Sequence, residues 1–344
     1  MDFQLDEEFR LLNETVNKFV ENELMPLEAI VLEREALGGN HELTDAELAP
    51  LHEKCRELGL WGLDCPAETG GADLPAIALV GVNEALGRTI TPFTFPPDSP
   101  NLHMLLATAN DQQKAKYLEP YARGETISAI AISEPGAGTD PAGMTTRAVR
   151  DGDDWVLNGR KIWISRMDKA DFTIVMAVTD PEKGSRGGIS AFLVDRDTPG
   201  LEIARKILLI GGHYNYEIAF DNCRLPASQL LGVEGQGFAP MQLRLIVRRL
   251  EMGAWCLGTA RRALDMLCDY ANQRETFGER LADRQSIQWW VAELETRCHC
   301  LQLMLWHAAT KQDAGGDVRT EASMIKLYGT ELATDAIDWA MQTY

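Results

Sequence analysis

Residues 131–140 crowd two hydroxyls (Ser133, Thr139), two glycines (Gly136, Gly138) and two carboxylates (Glu134, Asp140) into one short stretch. Successive backbone N–H groups in such a turn can form a concave nest for a polar or anionic ligand. Glycine lets that backbone come close, because no Cβ stands in the way. Taken alone, the run also fits an ordinary loop with a turn residue at every step. A second run, Asn158-Gly-Arg-Lys-Ile-Trp-Ile-Ser165, changes the balance. On a strand, Lys161, Trp163 and Ser165 fall on one face, where an indole can lie on a flat ring and a hydroxyl can bond its edge. Trp163 alone reads better as an aromatic on a half-buried strand; with the glycine-bearing loop, a flat polar cofactor becomes the better reading. A third run, Arg274-Glu-Thr-Phe-Gly278 with Gln285, sits at a helix–helix turn, where glycine and threonine are expected in any case. An exposed arginine there is usually only solvated, yet a fixed guanidinium suits a pyrophosphate.

The elements that must position these runs fall in the order α, β, α. Residues 6–34 carry Phe9, Leu12, Val16, Phe19, Val20 and Leu24 at helical spacing, with Pro26 as the interruption. Thr44 starts a helix over 45–58 that Gly59 stops. Gly87 closes another over 75–87, Pro92, Pro96, Pro97 and Pro100 mark an extended connector, and helices follow over about 101–109 and 111–123. From 126 the pattern becomes short strands with frequent turns, which predicts a small barrel or sandwich, with Asn158-Gly159 as a hairpin turn. After Gly235 the chain is helical again. Ile246, Leu250, Gly253, Leu257, Ala260, Leu264, Leu267 and Ala271 form one seam, Ile287 to Ala308 a second, and a third helix spans about 318–344. Long seams joined by short turns predict an antiparallel bundle, which is also the expected dimer-forming part. The fold expected is therefore α+β and multidomain: an N-terminal helical domain (1–125), a central β-barrel or sandwich (126–234) and a C-terminal helical bundle (235–344).

Charge narrows the function classes. With 33 basic against 52 acidic side chains, a formal charge of −19 opposes binding to nucleic acid and to anionic membrane surfaces. An anionic small ligand then needs local arginines. The seven cysteines have no zinc-finger or C-x-x-C spacing and read as buried, reduced thiols, so no metal site is expected. The acidic start at Met1 carries no signal pattern and no apolar run spans a bilayer, so the expected location is cytoplasmic.

The runs together resemble the acyl-CoA dehydrogenase family of flavoproteins, in order along the whole chain. Leu58-Gly-Leu-Trp-Gly and Pro66-Ala-Glu-Thr-Gly-Gly are similar to the family's N-terminal helical domain, and residues 131–140 to its signature. Residues 158–165 resemble its flavin-contacting strand, and Leu225-Pro with Leu231-Gly-x-x-Gly-x-Gly-Phe its barrel exit. The resemblance implies FAD, contacted by Ile132, Ser133, Gly138 and Thr139, with Thr139 also near the substrate's pantetheine. It implies that Trp163 and Ser165 lie against the isoalloxazine. Arg274, Thr276, Phe277, Gln285 and Gln342 belong to segments that reach the FAD of a second subunit, so a homodimer or homotetramer is implied. Arg249 matches the family's pocket arginine (otherwise a surface ion pair), and Arg186 is a candidate for a CoA phosphate (otherwise a solvated loop residue).

The implied reaction is α,β-dehydrogenation of an acyl-CoA thioester. A carboxylate takes the α-proton, the β-hydride goes to flavin N5, and an electron-transferring flavoprotein accepts the electrons. The alternatives are a flavin oxidase of the same fold acting on an acyl-CoA or a nitroalkane, and a non-catalytic partner subunit of a heteromeric dehydrogenase. Most of the family places the base in a segment that would follow Tyr344, so the chain reads as a fragment. A minority branch uses the position held here by Arg248, which cannot be deprotonated. Glu251, one turn on, is the remaining candidate base; its other reading is a salt-bridge partner.

Overall fold

The computed structural model describes residues 5–97 and 100–344; Met1–Gln4 lie outside the described residues. An N-terminal helical part, a middle β part and a C-terminal helical part follow one another. Helix α1 (Glu7–Phe19) runs through one π turn and a 3-10 turn at Met25–Leu27 into α2 (Glu28–Ala36), so the break falls at Pro26 as its missing N–H requires. Thr44 caps α3 (Asp45–Glu57) with a complete capping box: Glu47 N–H donates to Thr44 Oγ1, and Thr44 N–H to Glu47 Oε2. Next come α4 (Ala76–Leu86) and α5 (Pro100–Thr108), which Pro100 opens rather than precedes. The short α6 (Asp111–Gln113) and α7 (Glu119–Ala122), joined by a π turn, lead to Gly124.

The middle part is one eight-stranded sheet: β1 (Ser128–Ala131), β2 (Arg147–Asp151), β3 (Asp154–Ser165), β4 (Phe172–Val178), β5 (Ile189–Asp195), β6 (Leu201–Leu208), β7 (Tyr214–Pro226) and β8 (Leu230–Leu231). The order is β6-β7-β3-β2-β4-β5-β8, with β1 parallel to β4. Strand β2 pairs with β3 along its length but meets β4 only at Arg147↔Val178, so the sheet folds over there. The two halves enclose one apolar core, in which Trp155, Leu157, Ile164 and Ile218 meet Val175, Phe192 and Val194.

Asn158-Gly159 is not a hairpin turn. Strand β3 runs unbroken through it; between the pairs Leu157↔Cys223 and Gly159↔Phe220 the extra residue lies on β7, at Asp221-Asn222 (Asn222 φ +49), so Asn158 faces a bulge in the partner strand. The turn lies instead at Gly152 (φ +65), between Asp151 and Asp154. Gly159 is required there for space as well as conformation: its φ is +149, and a Cβ would meet Thr146 Oγ1 at 2.5 Å and Thr146 Cα at 2.7 Å. We therefore expect Gly159→Ala to destabilise the protein by about 2–4 kcal/mol, read as a lowered denaturation midpoint in urea.

A second bulge, between Lys161 and Ile164, corrects another expectation. Lys161 and Ile162 are both buried, Trp163 and Ser165 both exposed, so Lys161 does not share Trp163's face. The extra residue shifts the alternation by one.

The bundle consists of α8 (Phe238–Gln273), α9 (Gln285–Asp313) and α10 (Arg319–Thr343). All eight seam residues of α8 expected from the sequence are buried. Between α8 and α9 a small hairpin, β9 (Glu275–Thr276) and β10 (Glu279–Arg280), turns at Phe277 and Gly278, both at positive φ. The N-terminal part is tied to the bundle by ion pairs of Arg261 with Glu84 and of Arg262 with Glu28. The Asp313 carboxylate also accepts from the first N–H groups of α4, at Ala76 (2.7 Å) and Ile77 (3.1 Å). Among the described residues no helix is long and apolar enough to cross a membrane. All seven cysteines are unpaired; burial pushes Cys55 and Cys65 up to about 12, while Cys300, contrary to expectation, is exposed.

Candidate active site

The loop that follows β1 folds tightly on itself: Glu134 N–H donates to Ala137 O (2.9 Å) and Ala137 N–H to Glu134 O (3.1 Å). Its placement depends on a buried ion pair. Lys161, whose side chain is 0% exposed, donates from Nζ to Glu134 Oε1 and to Ile132 O, both at 2.9 Å. Glu134, 3% exposed, also accepts from Thr145 N–H and Oγ1 and from Thr146 N–H. Burial alone would raise the Glu134 pKa. The Lys161 charge and the threonine donors more than offset this and hold it down at about 2. Burial lowers Lys161, and the Glu134 charge only partly restores it. One further bond, Ile162 N–H to Ser133 O at 2.9 Å, joins the loop to the bulged end of β3. The pair is thus a latch between residues 132–134 and 161–163. Sequence reasoning assigned it no role, although both residues lie in the two runs it singled out.

Above the latch the open face of the loop and the exposed end of β3 define a candidate slot. Gly136 and Gly138 face open space: a Cβ on either would meet no atom within 4 Å. Thr139 is exposed and Ser133 half-buried, and neither hydroxyl has a partner among the described residues. On the facing strand Trp163 stands 52% exposed with φ +64, and Ser165 Oγ donates to Asn215 Oδ1 at 3.1 Å. An exposed indole, two unpartnered hydroxyls and a backbone stripped of Cβ atoms suit a flat ring with polar edges.

Behind the slot the same loop closes onto helices. Ile132, Ala137 and Met144 pack with Leu102, Leu105 and Leu106 of α5 and with Phe238, Met241 and Leu245 of α8. Helices α5 and α8, with α4, also line a cavity of about 300 Å³ walled by Leu79, His103, Leu106, Val247, Leu250 and Glu251, among others.

The other expected site residues lie elsewhere. Arg249 is half-buried on α8 with no ion-pair partner among the described residues; its neighbour Arg248 pairs with Glu251 at 3.0 Å and stacks over Trp255 at 4.3 Å. Arg186 is exposed in the turn before β5, near the entry to α8. Arg274 and Phe277 are exposed on the β9–β10 hairpin, Phe277 fully, and Thr276 O accepts from Arg284 Nη2. Gln285 and Gln342 are exposed at the start of α9 and near the end of α10.

Family models for the N-terminal, middle and C-terminal domains of acyl-CoA dehydrogenase match residues 6–125, 129–223 and 235–344. The chain belongs to the acyl-CoA dehydrogenase family. It is 41% identical to an (R)-benzylsuccinyl-CoA dehydrogenase of Thauera aromatica, over 100% of this chain and 87% of the relative. It matches the structure of a butyryl-CoA dehydrogenase from Megasphaera elsdenii with a TM-score of 0.87 and 29% identity, over 100% of this chain and 89% of that one. A structure of PigA with FAD and proline matches with a TM-score of 0.87 and 28% identity, over 100% and 88%. This acyl-CoA dehydrogenase family member is accordingly a flavoprotein oxidoreductase acting on acyl-CoA, with FAD as cofactor. The slot fits that group on its own chemistry, through the open glycine backbone and the exposed indole.

Proposed function

We propose that the protein catalyses α,β-dehydrogenation of an acyl-CoA thioester, with the FAD ring seated in the slot between residues 132–139 and Trp163-Ile-Ser165. The observation that carries this reading is that one loop serves both sites: its open glycine face forms the slot, and its apolar back packs on the helices that wall the cavity. When bound, FAD supplies the acceptor for the hydride that leaves Cβ. Ile132, Ser133, Gly138 and Thr139 hold one side of the ring, Trp163 and Ser165 the other, with Thr139 also toward the pantetheine. The cavity excludes water from the acyl chain, Arg249 binds the substrate, and Arg186 reaches a CoA phosphate. Hydrogen bonds to the thioester carbonyl acidify the α-proton that a carboxylate removes.

Arg274, Thr276, Phe277, Gln285 and Gln342 serve the FAD of a second copy. A fully exposed phenylalanine at the tip of a dedicated hairpin supports that role, and a homodimer or homotetramer follows from it. The acceptor is an electron-transferring flavoprotein. The test is anaerobic addition of acyl-CoA thioesters to the FAD-loaded protein. Bleaching of the visible flavin band is expected; its absence with every thioester would refute the reading, and peroxide formed in air would redirect it to an oxidase.

Glu251 is not the base on this reading, because its carboxylate already serves Arg248. Glu251→Gln should slow flavin reduction by less than about tenfold, against the ~10²–10⁴ that loss of a general base costs. Stopped-flow reduction rates decide.

A further inference from the structure

The cavity wall is unusual for a pocket meant to take plain hydrocarbon. His103, on α5, holds its Nε2 3.0 Å from Asp64 Oδ2, and Asp64, His103 and Glu251 all border the cavity with Asn83. An ionised Asp64 can only accept, so Nε2 carries a proton. Nδ1 then has no partner among the described residues and is left for whatever fills the cavity. Burial opposes protonation of this imidazole, but the bond to Asp64 and the charges of Asp64 and Glu251 outweigh it and raise its pKa, which favours the imidazolium, the form in which Nδ1 also donates. On α8 Glu251 offers an acceptor, its charge balanced by Arg248. Asp64 and Glu251 each have a counter-charge in His103 and Arg248, and Asp73 and Asp313 also border the cavity, Asp313 accepting from the first N–H groups of α4.

An alkyl chain pressed against this wall displaces water from His103 and Glu251 and returns no hydrogen bond, whereas an oxygen on the chain satisfies them. We propose that the acyl cavity selects CoA thioesters whose acyl portion carries a hydrogen-bonding oxygen, as hydroxyl, carbonyl or carboxylate, placed to meet His103 Nδ1, over unsubstituted alkyl thioesters. This inference rests on the acyl-CoA reading above.

The experiment compares chain-matched alkyl, hydroxyacyl, oxoacyl and carboxyacyl thioesters of CoA with the FAD-loaded protein. It measures kcat/KM from anaerobic flavin reduction and Kd by calorimetry. The best oxygenated class should exceed its alkyl match at least tenfold in both, and the arms show which oxygen group is meant. His103→Leu should collapse that ratio toward unity, and His103→Gln, which can still donate, should restore part of it. Retained FAD content serves as the folding control for both variants. Equal or better performance of the alkyl thioesters with the unmodified protein overturns the proposal without any variant, as does a ratio that His103→Leu leaves unchanged. If no thioester bleaches the flavin, the acyl-CoA reading itself falls and the proposal with it.

Discussion

Lys161→Met is expected to lower FAD affinity by at least about a hundredfold, or roughly 2.7 kcal/mol. It should also destabilise the flavin-free protein by about 3–5 kcal/mol. The stability loss follows from burial: with the ammonium gone, Glu134 remains 3% exposed and ionised with no counter-charge. The affinity loss follows from geometry. Lys161 Nζ ties the Ile132 carbonyl and the Glu134 carboxylate to the bulged strand, so without it the loop is free to drift from Trp163. The two effects can be separated. In the double variant Lys161→Met, Glu134→Gln no lone charge is buried, and the amide can still accept from Thr145 and Thr146. At least half of the lost stability should return while FAD affinity stays low. Denaturant midpoints of the flavin-free protein and fluorescence titration with FAD measure the two quantities. Recovery of both together would reduce the pair to ordinary core support.

Trp163→Gly should behave in the opposite way, with a large effect on the flavin and a small one on the fold. A bulky residue at φ +64 costs roughly 1–2 kcal/mol of backbone strain, which glycine relieves. Against that stand the entropy of a new glycine, about 0.5–1 kcal/mol, and the contacts of a ring already half in solvent. The sum should leave the flavin-free protein within about 1 kcal/mol of its parent, where losing a core tryptophan side chain costs about 3–5 kcal/mol. FAD affinity should fall by at least about tenfold, the worth of one stacked aromatic. Loss of several kcal/mol from the flavin-free protein, or unchanged FAD affinity, would show that the strained tryptophan serves the core instead of the cofactor.

How far the sequence reaches is clearest along residues 154–165. Local structure was legible: the strand itself was expected, and Trp163 and Ser165 do lie exposed on one face of it. What failed was counting by twos. Asn158-Gly159 carries the strongest short hairpin signal, but β3 runs straight through it, beside an extra residue on β7 and with Thr146 packed where a Gly159 Cβ would lie. The second bulge, just after Lys161, turns Trp163 and Ser165 outward, while Lys161 stays on the buried face of Trp155 and Leu157. A lysine is among the residue types least expected inside, and only its partner Glu134, distant in sequence, makes burial tolerable.

Helix ends set by adjacent residues were legible for the same reason that the bulges were not: Thr44 with Glu47, and Pro26, act locally. The Asp64–His103 pair left no usable signal. His103 lies within an apolar helical run, and its partner comes from a loop that nothing in the spacing connects to it.

The central claim is the seat of the flavin ring, and an X-ray structure of the FAD-loaded protein tests it most directly. The account predicts the isoalloxazine between residues 133–139 and the Trp163 indole, with the Lys161–Glu134 pair intact beneath it. A ring bound elsewhere, or those two segments closed on each other with no ring between them, would contradict it.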